Sequence, residues 1–186
     1  MVENLKNRIM LKKNQKVAIY MEGHIYSEYG KMGMGVLRYL ENKIVCVIDS
    51  KYSKTNISDH YPNLKPVPIV NNLESAIQLK AEVLILGIAP SGGKVPSDWY
   101  PIIKLALSKG LSIINGLHDL LENRFRNLIT KKNQWIWDVR VPNFVPEIAT
   151  GKAAKLNNKR LLMIGTDMAC GKMTTALEVL TWSKQN

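Results

Sequence analysis

Six short apolar runs, each followed by a stretch of mixed apolar and polar residues, dominate the pattern of this chain. The runs are rich in Ile, Val and Leu and are too short for buried helices, so each predicts a buried β-strand. They begin at residues 16, 42, 67, 81, 111 and 134 and have the sequences KVAIYME, NKIVCVID, VPIV, AEVLILGI, LSIINGL and QWIWDVR. Strands that are apolar throughout are typical of parallel sheets that are covered on both faces.

Several stretches between these runs place apolar residues at helical spacing and predict helices. Asn72, with Glu74 in the first turn, marks the start of one helix, and Gly110 marks the end of another. The predicted helices cover residues 31–41, 72–79, 97–110 and 118–129. Repeated strand and helix pairs predict right-handed βαβ units. We therefore predict an α/β fold with a doubly wound, mostly parallel, Rossmann-like sheet over residues 15–140.

The pattern restarts after this sheet. A stretch with prolines, a glycine, small residues and lysines first indicates a linker. The apolar run RLLMI at residues 160–164 then precedes a glycine-rich loop and a helical pattern. We predict three segments, which are a Rossmann-like domain over residues 1–145, a linker over residues 146–158, and the first strand, loop and helix of an incomplete P-loop domain over residues 159–186.

The glycine-rich loop has the pattern of a phosphate-binding loop because it joins a predicted strand to a helix that begins with Lys172. Backbone N–H groups in such a loop converge on one point, and the helix that follows adds a partial positive charge. The lysine adds a full positive charge. The residues predicted to hold phosphates are Gly165, Thr166, Asp167, Gly171, Lys172, Thr174 and Thr175.

Two features of this loop differ from the usual pattern. Five residues separate Gly165 from Gly171, one more than usual, and Met173 occupies the position where a Ser or Thr hydroxyl normally binds Mg²⁺. Thr174 lies one residue further along the helix, where its side chain is rotated by about 100°. The loop is therefore predicted to bind phosphates with altered metal use or with no metal.

Polar loops that follow the predicted strands are further candidate sites, because ligands collect at the carboxyl ends of strands in open α/β sheets. Asp49 occupies the place of a ribose-binding acid, but the first loop has no G-x-G-x-x-G, so NAD binding stays only an alternative. Around the Gly92 and Gly93 pair, a ligand can approach the backbone closely. The candidate substrate-binding residues are Asp49, Ser50, Ser91, Gly92, Gly93 and Lys94.

The formal net charge of +11 raises nucleic acid as a partner. The basic residues are spread along the chain without an aromatic-interleaved basic helix, so we expect a small anionic ligand rather than nucleic acid. The N-terminus has no apolar core of a secretory signal, and no run approaches about 20 apolar residues, so we expect a cytoplasmic protein with no membrane partner. We also expect a homo-oligomer. The 2 cysteines and 3 histidines lack ligand spacing and predict neither a disulfide framework nor a metal site.

Five motifs, in order along the chain, resemble those of a known family. They are VIDSKY at 47–52, GIAPSGGKVPSDW at 87–99, NGLHDLL at 115–121, WDVRVP at 137–142 and GTDMACGKMTTALEV at 165–179. The family is D-glutamate N-acetyltransferase-like and was formerly a domain of unknown function. The resemblance implies a Rossmann-like domain, a P-loop domain, and acetyl transfer from acetyl-CoA to the amine of D-glutamate. It also implies that this chain is the N-terminal portion of such an enzyme, with little activity alone.

Two other functions stay open at this point. The spacing of the P-loop is similar to that in dethiobiotin synthetase-like proteins, which implies ATP with Mg²⁺ as alternative ligands. A non-catalytic nucleotide- or metabolite-binding module is the third hypothesis. His118, which follows the fifth strand beside Asp119, is the candidate catalytic base, because an imidazole exchanges protons near neutral pH. The alternative role for His118, which we favour over that of the base, is a helix cap.

Overall fold

The computed structural model describes residues 11–142, 145, 147–167 and 170–186. These residues belong to two compact units, Met1–Phe144 and Val145–Asn186. The start of the basic N-terminal stretch, residue 146 of the predicted linker and residues 168 and 169 of the predicted phosphate loop lie outside the described residues.

The first unit contains a sheet of six strands, and every pair of neighbouring strands is parallel. The strands are β1 (Val17–Tyr20), β2 (Ile44–Ile48), β3 (Ile69–Val70), β4 (Val83–Leu86), β5 (Ser112–Asn115) and β6 (Ile136–Asp138). Their order across the sheet is β3-β2-β1-β4-β5-β6, which is that of a doubly wound Rossmann sheet. The predicted fold class is therefore confirmed.

Helices connect these strands, and short 3₁₀ turns precede or follow several of them. The helices are α1 (Lys31–Tyr39), α2 (Ile57–His60), α3 (Leu73–Gln78), α4 (Tyr100–Ser108), α5 (Leu121–Phe125) and α6 (Lys172–Gln185). The Asn72 side chain accepts from the Ser75 N–H and caps α3 as predicted, and Gly110 follows α4 with a φ of 82°. The predicted helix over residues 118–129 is shorter in the structure, because α5 begins only at Leu121.

Both faces of the sheet are covered by apolar side chains, which explains why its strands are apolar throughout. One layer of the core contains Ala18, Cys46 and Leu84, and the other contains Val17 and Val83. All five side chains are buried. Burial raises the pKa of the Cys46 thiol to about 12, so this thiol stays protonated and packs as a small apolar group.

Helix α1 passes very close to the sheet where β1 and β4 meet. The Gly33 N–H donates to the Gly87 carbonyl oxygen at 2.7 Å. A Cβ atom on Gly87 would lie 2.6 Å from Ile19 Cγ2 and 3.0 Å from Gly33 Cα. A Cβ atom on Gly33 would lie 2.5 Å from Met21 Sδ. Neither position has room for a side chain, so the two glycines set the distance between the helix and the sheet.

The second unit has one long helix, α6, and no strand among its described residues. The predicted strand over residues 160–164 is not formed, and Leu161, Leu162 and Ile164 are 73%, 81% and 83% exposed. A strand needs a neighbour to pair its backbone N–H and C=O groups, and no described residue of this unit provides one. That prediction is therefore wrong for this structure. The helix predicted after the loop is present.

A search of the described helices found none that combines the length and the apolar composition needed to span a membrane.

Candidate functional site

The carboxyl ends of the six parallel strands lie at one edge of the sheet, and the loops there carry several predicted site residues. The connection from β1 leads to β2, whereas that from β4 leads to β5 on the other side. In open α/β sheets, ligands bind at the carboxyl ends of two neighbouring strands whose connections lead to opposite sides of the sheet. Glu22 follows β1, Asp49 follows β2, and Asn115 ends β5. These side chains define the edge that is described below.

Glu22 joins the loop after β1 to the loop after β2. The Ser50 N–H donates to Glu22 Oε2 at 2.9 Å, and the Ser50 hydroxyl donates to Glu22 Oε1. Ser50, a predicted substrate-binding residue, therefore has both of these donors engaged within the protein. Glu22 itself was not predicted as a site residue. Its position two residues beyond the end of β1 is the signal that marks it.

Asp49 is fully buried at the end of β2 and holds its carboxylate beside the turn after β1. The Lys51 N–H donates to Asp49 Oδ1 at 3.1 Å, whereas Oδ2 is buried without a hydrogen-bond partner. Burial raises the pKa of the Asp49 carboxyl, and this effect outweighs the backbone N–H groups of Gly23, Lys51 and Ile25, which lower it. Burial of a carboxylate oxygen without a hydrogen-bond partner costs free energy, so the charged form of Asp49 destabilises the fold at this position.

This raised pKa predicts how an Asp49→Asn variant responds to pH. In the folded wild type the carboxyl binds a proton more readily than in the unfolded chain, so its contribution favours folding below the usual Asp range and is lost as pH rises. The variant has no such titration. Relative to wild type, we therefore expect the variant to be more stable, with a larger free energy of unfolding, at pH 7 than at pH 3. Urea unfolding at the two pH values measures this difference, and a difference of opposite sign would contradict it.

The loop after β4 brings two predicted residues together. Gly92 and Gly93 have φ values of 75° and 66°, which only glycine adopts readily. The His118 N–H donates to the Gly93 carbonyl oxygen at 2.7 Å, and a Cβ atom on Gly93 would lie 2.2 Å from His118 Cδ2. The Val95 N–H also donates to Asp119 Oδ2 at 2.6 Å. The loops after β4 and β5 therefore pack against each other, with the His118 ring beside Gly93.

Ser91, Gly92 and Lys94 are exposed in this loop. Their side chains or backbone face solvent at the edge of the first unit, and their predicted contact with substrate stays a prediction. His118 is exposed as well, which leaves its imidazole accessible to a reacting group.

The alternative role of His118 as a helix cap is wrong, because α5 begins three residues later and is capped by another side chain. Asp138, at the end of β6, accepts from the Leu121 N–H at 3.1 Å and from the Glu122 N–H at 3.0 Å. It also accepts from Asn115 Nδ2 at 2.8 Å. A carboxylate from a distant strand thus satisfies two N–H groups at the start of α5.

An aromatic cluster of Tyr26, Tyr52, His60 and Tyr61 lies beside the loops after β1 and β2. Thr55 Oγ1 donates to the Tyr52 carbonyl oxygen at 2.7 Å and lies 2.9 Å from His60 Nε2. The Thr55 hydroxyl therefore accepts from Nε2–H, and in a neutral imidazole Nδ1 then accepts from the Tyr26 hydroxyl at 2.5 Å. These contacts hold the imidazole in one tautomer. No sequence pattern predicted this cluster.

In the second unit, the predicted phosphate loop leads into α6 at Gly171, which has a φ of 89°. Lys172 is the first residue of α6, and its Nζ donates to the Asp167 carbonyl oxygen at 2.5 Å and lies 3.3 Å from Cys170 Sγ. A Cβ atom on Gly165 would lie 2.3 Å from Cys170 Sγ. The structure thus places the Lys172 ammonium against the backbone of the loop that precedes it.

Other predicted phosphate contacts also lie around this helix start. Thr174 and Thr175 are exposed in the first turn of α6, and Thr166 is exposed in the loop. The first N–H groups of a helix have no intrahelical partner and point toward its N-terminal end. Met173, the residue in the usual metal-ligand position, is 74% exposed and has no oxygen atom in its side chain. Phosphate binding by these residues stays a prediction, and the usual metal-ligand position lacks a hydroxyl.

Two family models match the chain. Residues 51–142 match a Rossmann-like domain of unknown function, DUF1611_N, and residues 147–186 match a P-loop domain of unknown function, DUF1611_C. Both models describe parts of one family, and they match in the order expected for that family.

Two curated proteins named D-glutamate N-acetyltransferase are similar to part of the chain. One from Pseudoalteromonas sp is 43% identical over 107 residues, and one from Tritonibacter scottomollicae is 37% identical over 107 residues. These matches cover 56% of this chain but only 31% and 32% of the two relatives. The matched region therefore spans about a third of the length of these relatives.

A solved structure is similar over a larger share of the chain. It is a crystal structure of a DUF1611 family protein from Anabaena variabilis, with 40% sequence identity and a TM-score of 0.86. The similarity covers 92% of this chain and 50% of the crystallised chain. Since the two family models together match most of the chain and this structure shares its fold, the chain belongs to the DUF1611 family.

Proposed function

We propose that this chain is the N-terminal portion of an acyltransferase that moves an acetyl group from acetyl-CoA to the amine of D-glutamate. The names of the two curated relatives support the reaction. The observation that carries the proposal in this chain is Lys172, which begins a 14-residue helix directly after a glycine-rich loop. Such a helix start with a lysine attracts phosphate groups.

Coenzyme A carries a diphosphate and a further phosphate, so a phosphate-binding loop can hold it without any transfer of phosphate. In this proposal the loop residues and the first N–H groups of α6 bind these phosphates, and the Lys172 ammonium balances their charge. The absence of a hydroxyl at Met173 fits this use, because binding a CoA phosphate does not require the Mg²⁺ that a nucleotide triphosphate usually brings.

The chemical step requires a neutral amine. The substrate ammonium gives a proton to a base, and its nitrogen attacks the thioester carbonyl carbon. The C–S bond then breaks, the nitrogen loses a second proton to become the amide, and the CoA thiolate takes up that proton. His118 is the proposed base, since its exposed imidazole lies against Gly93 in a loop at the carboxyl edge of the sheet. Ser91 and Lys94 in the same loop are proposed to contact the substrate carboxylates.

A Lys172→Ala variant of the 186-residue chain tests the phosphate cradle. We expect its affinity for CoA, measured by isothermal titration calorimetry, to fall by about 10- to 100-fold, because a hydrogen bond to a charged group contributes about 1.5–3 kcal/mol. Lys184→Ala is the matched control, since Lys184 lies in the last turn of the same helix. Equal affinities of the wild type and Lys172→Ala for both CoA and ATP would contradict the proposal.

The reaction itself is tested by measuring CoA release in a full-length relative, since this chain alone is expected to show little activity. Under the proposal, release of CoA thiol from acetyl-CoA depends on D-glutamate. An ATP-dependent enzyme would instead hydrolyse nucleotide in the presence of a carboxylate substrate, and a non-catalytic binding module would do neither. CoA release that does not depend on D-glutamate would overturn the proposed substrate.

A further inference from the structure

A cavity of about 300 Å³ opens at the carboxyl edge of the sheet in the first unit, on the side that α3 and α4 cover. None of the residues predicted to bind substrate or phosphate lines it, although Ser50 hydrogen-bonds to Glu22 in its wall. Its walls are formed by Tyr20, Glu22, Ile48, Asn71, Asn72, Leu73, Glu74, Pro101, Ile102 and Leu105. The volume is at the lower end of the range for small-molecule sites, so it suits a compact ligand.

The charge of this cavity is opposite to that of the whole chain. The chain has 26 basic and 15 acidic residues, yet the described walls include two carboxylates, Glu22 and Glu74, and no lysine or arginine. Glu74 is exposed at the start of α3, whereas Glu22 is partly buried and held by Ser50. A fixed carboxylate and a freer one therefore flank the same opening.

The Tyr20 side chain on the cavity wall is affected by the negative charge of nearby carboxylates. Burial, and then the negative charges of Glu22, Asp98 and Asp49, together raise the pKa of its hydroxyl to about 12. The Tyr20 hydroxyl thus stays protonated at neutral pH. The negative charges among these causes disfavour any other anion in the cavity and attract a cation, whereas burial disfavours both.

The rest of the wall is apolar. Ile48 and Leu73 are buried side chains of the core, and Ile102 and Leu105 add the half-buried face of α4. Such a surface contributes to binding through the burial of an apolar ligand body. Glu22 has accepted two hydrogen bonds from Ser50, and its carboxylate retains further lone pairs for a donor in the cavity.

We propose that this cavity is a binding site for a small organic amine, with its ammonium between the Glu22 and Glu74 carboxylates and its apolar body against Ile48, Leu73 and Leu105. The site goes beyond the proposed acetyl transfer. D-glutamate carries two carboxylates, which the walls of this cavity repel, so its ligand differs from the proposed acetyl acceptor. The cavity also selects the charge opposite to that selected by the phosphate loop.

The probes for this site are isopentylamine and 4-methylpentanoate, which have similar apolar bodies and opposite charges. Each is titrated into the uniformly ¹⁵N-labelled 186-residue chain at pH 7, and the amide signals of Glu22, Asn72 and Leu105 are followed. We expect isopentylamine to shift these signals in a saturable way and 4-methylpentanoate to leave them unchanged over the same range. Equal shifts with both probes, or no saturable shift with isopentylamine, would overturn the proposal.

Glu74→Gln tests the charge without altering the core, because Glu74 is exposed. We expect it to weaken isopentylamine binding about two- to fivefold, the effect of removing one partly solvated ion pair. Glu41→Gln is the matched control, since Glu41 is exposed and is not part of the cavity wall. Equal losses in both variants would contradict the proposal.

D-glutamate is the third ligand in the same titration. It should not shift the signals of the cavity amides, whether or not it is the acetyl acceptor elsewhere in the protein. Saturable shifts at Glu22, Asn72 and Leu105 with D-glutamate would show a dicarboxylate site and would overturn the amine proposal while leaving the proposed acetyl transfer intact.

Discussion

A Gly87→Val variant is expected to lose at least about 3 kcal/mol of its free energy of unfolding. Even a single Cβ atom at this position would lie 2.6 Å from Ile19 Cγ2 and 3.0 Å from the backbone of Gly33. Helix α1 would have to move away from the sheet, which would break the hydrogen bond from the Gly33 N–H to the Gly87 carbonyl oxygen. Urea unfolding followed by circular dichroism measures this loss.

The matched control for Gly87→Val is Gly35→Ala in α1. A Cβ atom on Gly35 meets no atom within 4 Å, and its φ lies in the ordinary range. Alanine in the middle of a helix is more favourable than glycine by roughly 0.5–1 kcal/mol, so this variant should keep or gain stability. If Gly87→Val unfolds at the same urea concentration as the wild type, the close approach of α1 to the sheet does not contribute to stability and the prediction is wrong.

The second large effect is expected for Asp138→Ala. The buried Asp138 carboxylate accepts from Asn115 Nδ2 and from the N–H groups of Leu121 and Glu122. Alanine leaves these three donors without their acceptor, so we expect a loss of roughly 3 kcal/mol in the free energy of unfolding. Thermal and urea unfolding of the variant check this value.

Two comparisons sharpen the test of Asp138. Asp138→Asn keeps one carbonyl oxygen as an acceptor and should lose less stability than Asp138→Ala. Asp98→Ala removes an exposed carboxylate and should change the free energy of unfolding by no more than about 0.5 kcal/mol. A loss for Asp138→Ala as small as that for Asp98→Ala would show that water replaces the Asp138 carboxylate at the start of α5.

Much of the fold could be predicted from the sequence, because its signals are local. An apolar run such as AEVLILGI indicates a buried parallel strand by itself, and β4 lies within it. The cap of α3 was also predicted, since Asn72 and Ser75 are three residues apart and their contact depends on the helix alone. The strand order then follows from the few connections that a doubly wound sheet allows.

The parts that could not be predicted depend on contacts between distant residues. Asp138 caps α5 from 16 and 17 residues away, so no local pattern near His118 could show that another side chain takes the role of cap. Glu22 meets Ser50 across 28 residues for the same reason. The run at residues 160–164 has the composition of a strand, but a strand also needs a partner, which composition does not supply.

For the candidate sites as well, local features could be predicted from the sequence and features that join distant residues could not. The phosphate loop was identified from its spacing, and the structure adds the position of the Lys172 ammonium against the Asp167 carbonyl oxygen. The cavity beside Glu22 and Glu74 had no sequence signature, because its walls come from strands β1 and β2 and from helices α3 and α4. Only the fold brings these elements to one place.

The contacts between the loops after β1 and β2 have a consequence for their motion. Ser50 is bound to Glu22, and His60 is bound to Tyr26, so two separate hydrogen-bonded links connect the same pair of segments. Neither segment can open to solvent without breaking both links, and the two therefore share one local unfolding free energy. They form a single cooperative unit, although residues 27–49, which include α1 and β2, lie between them in the chain.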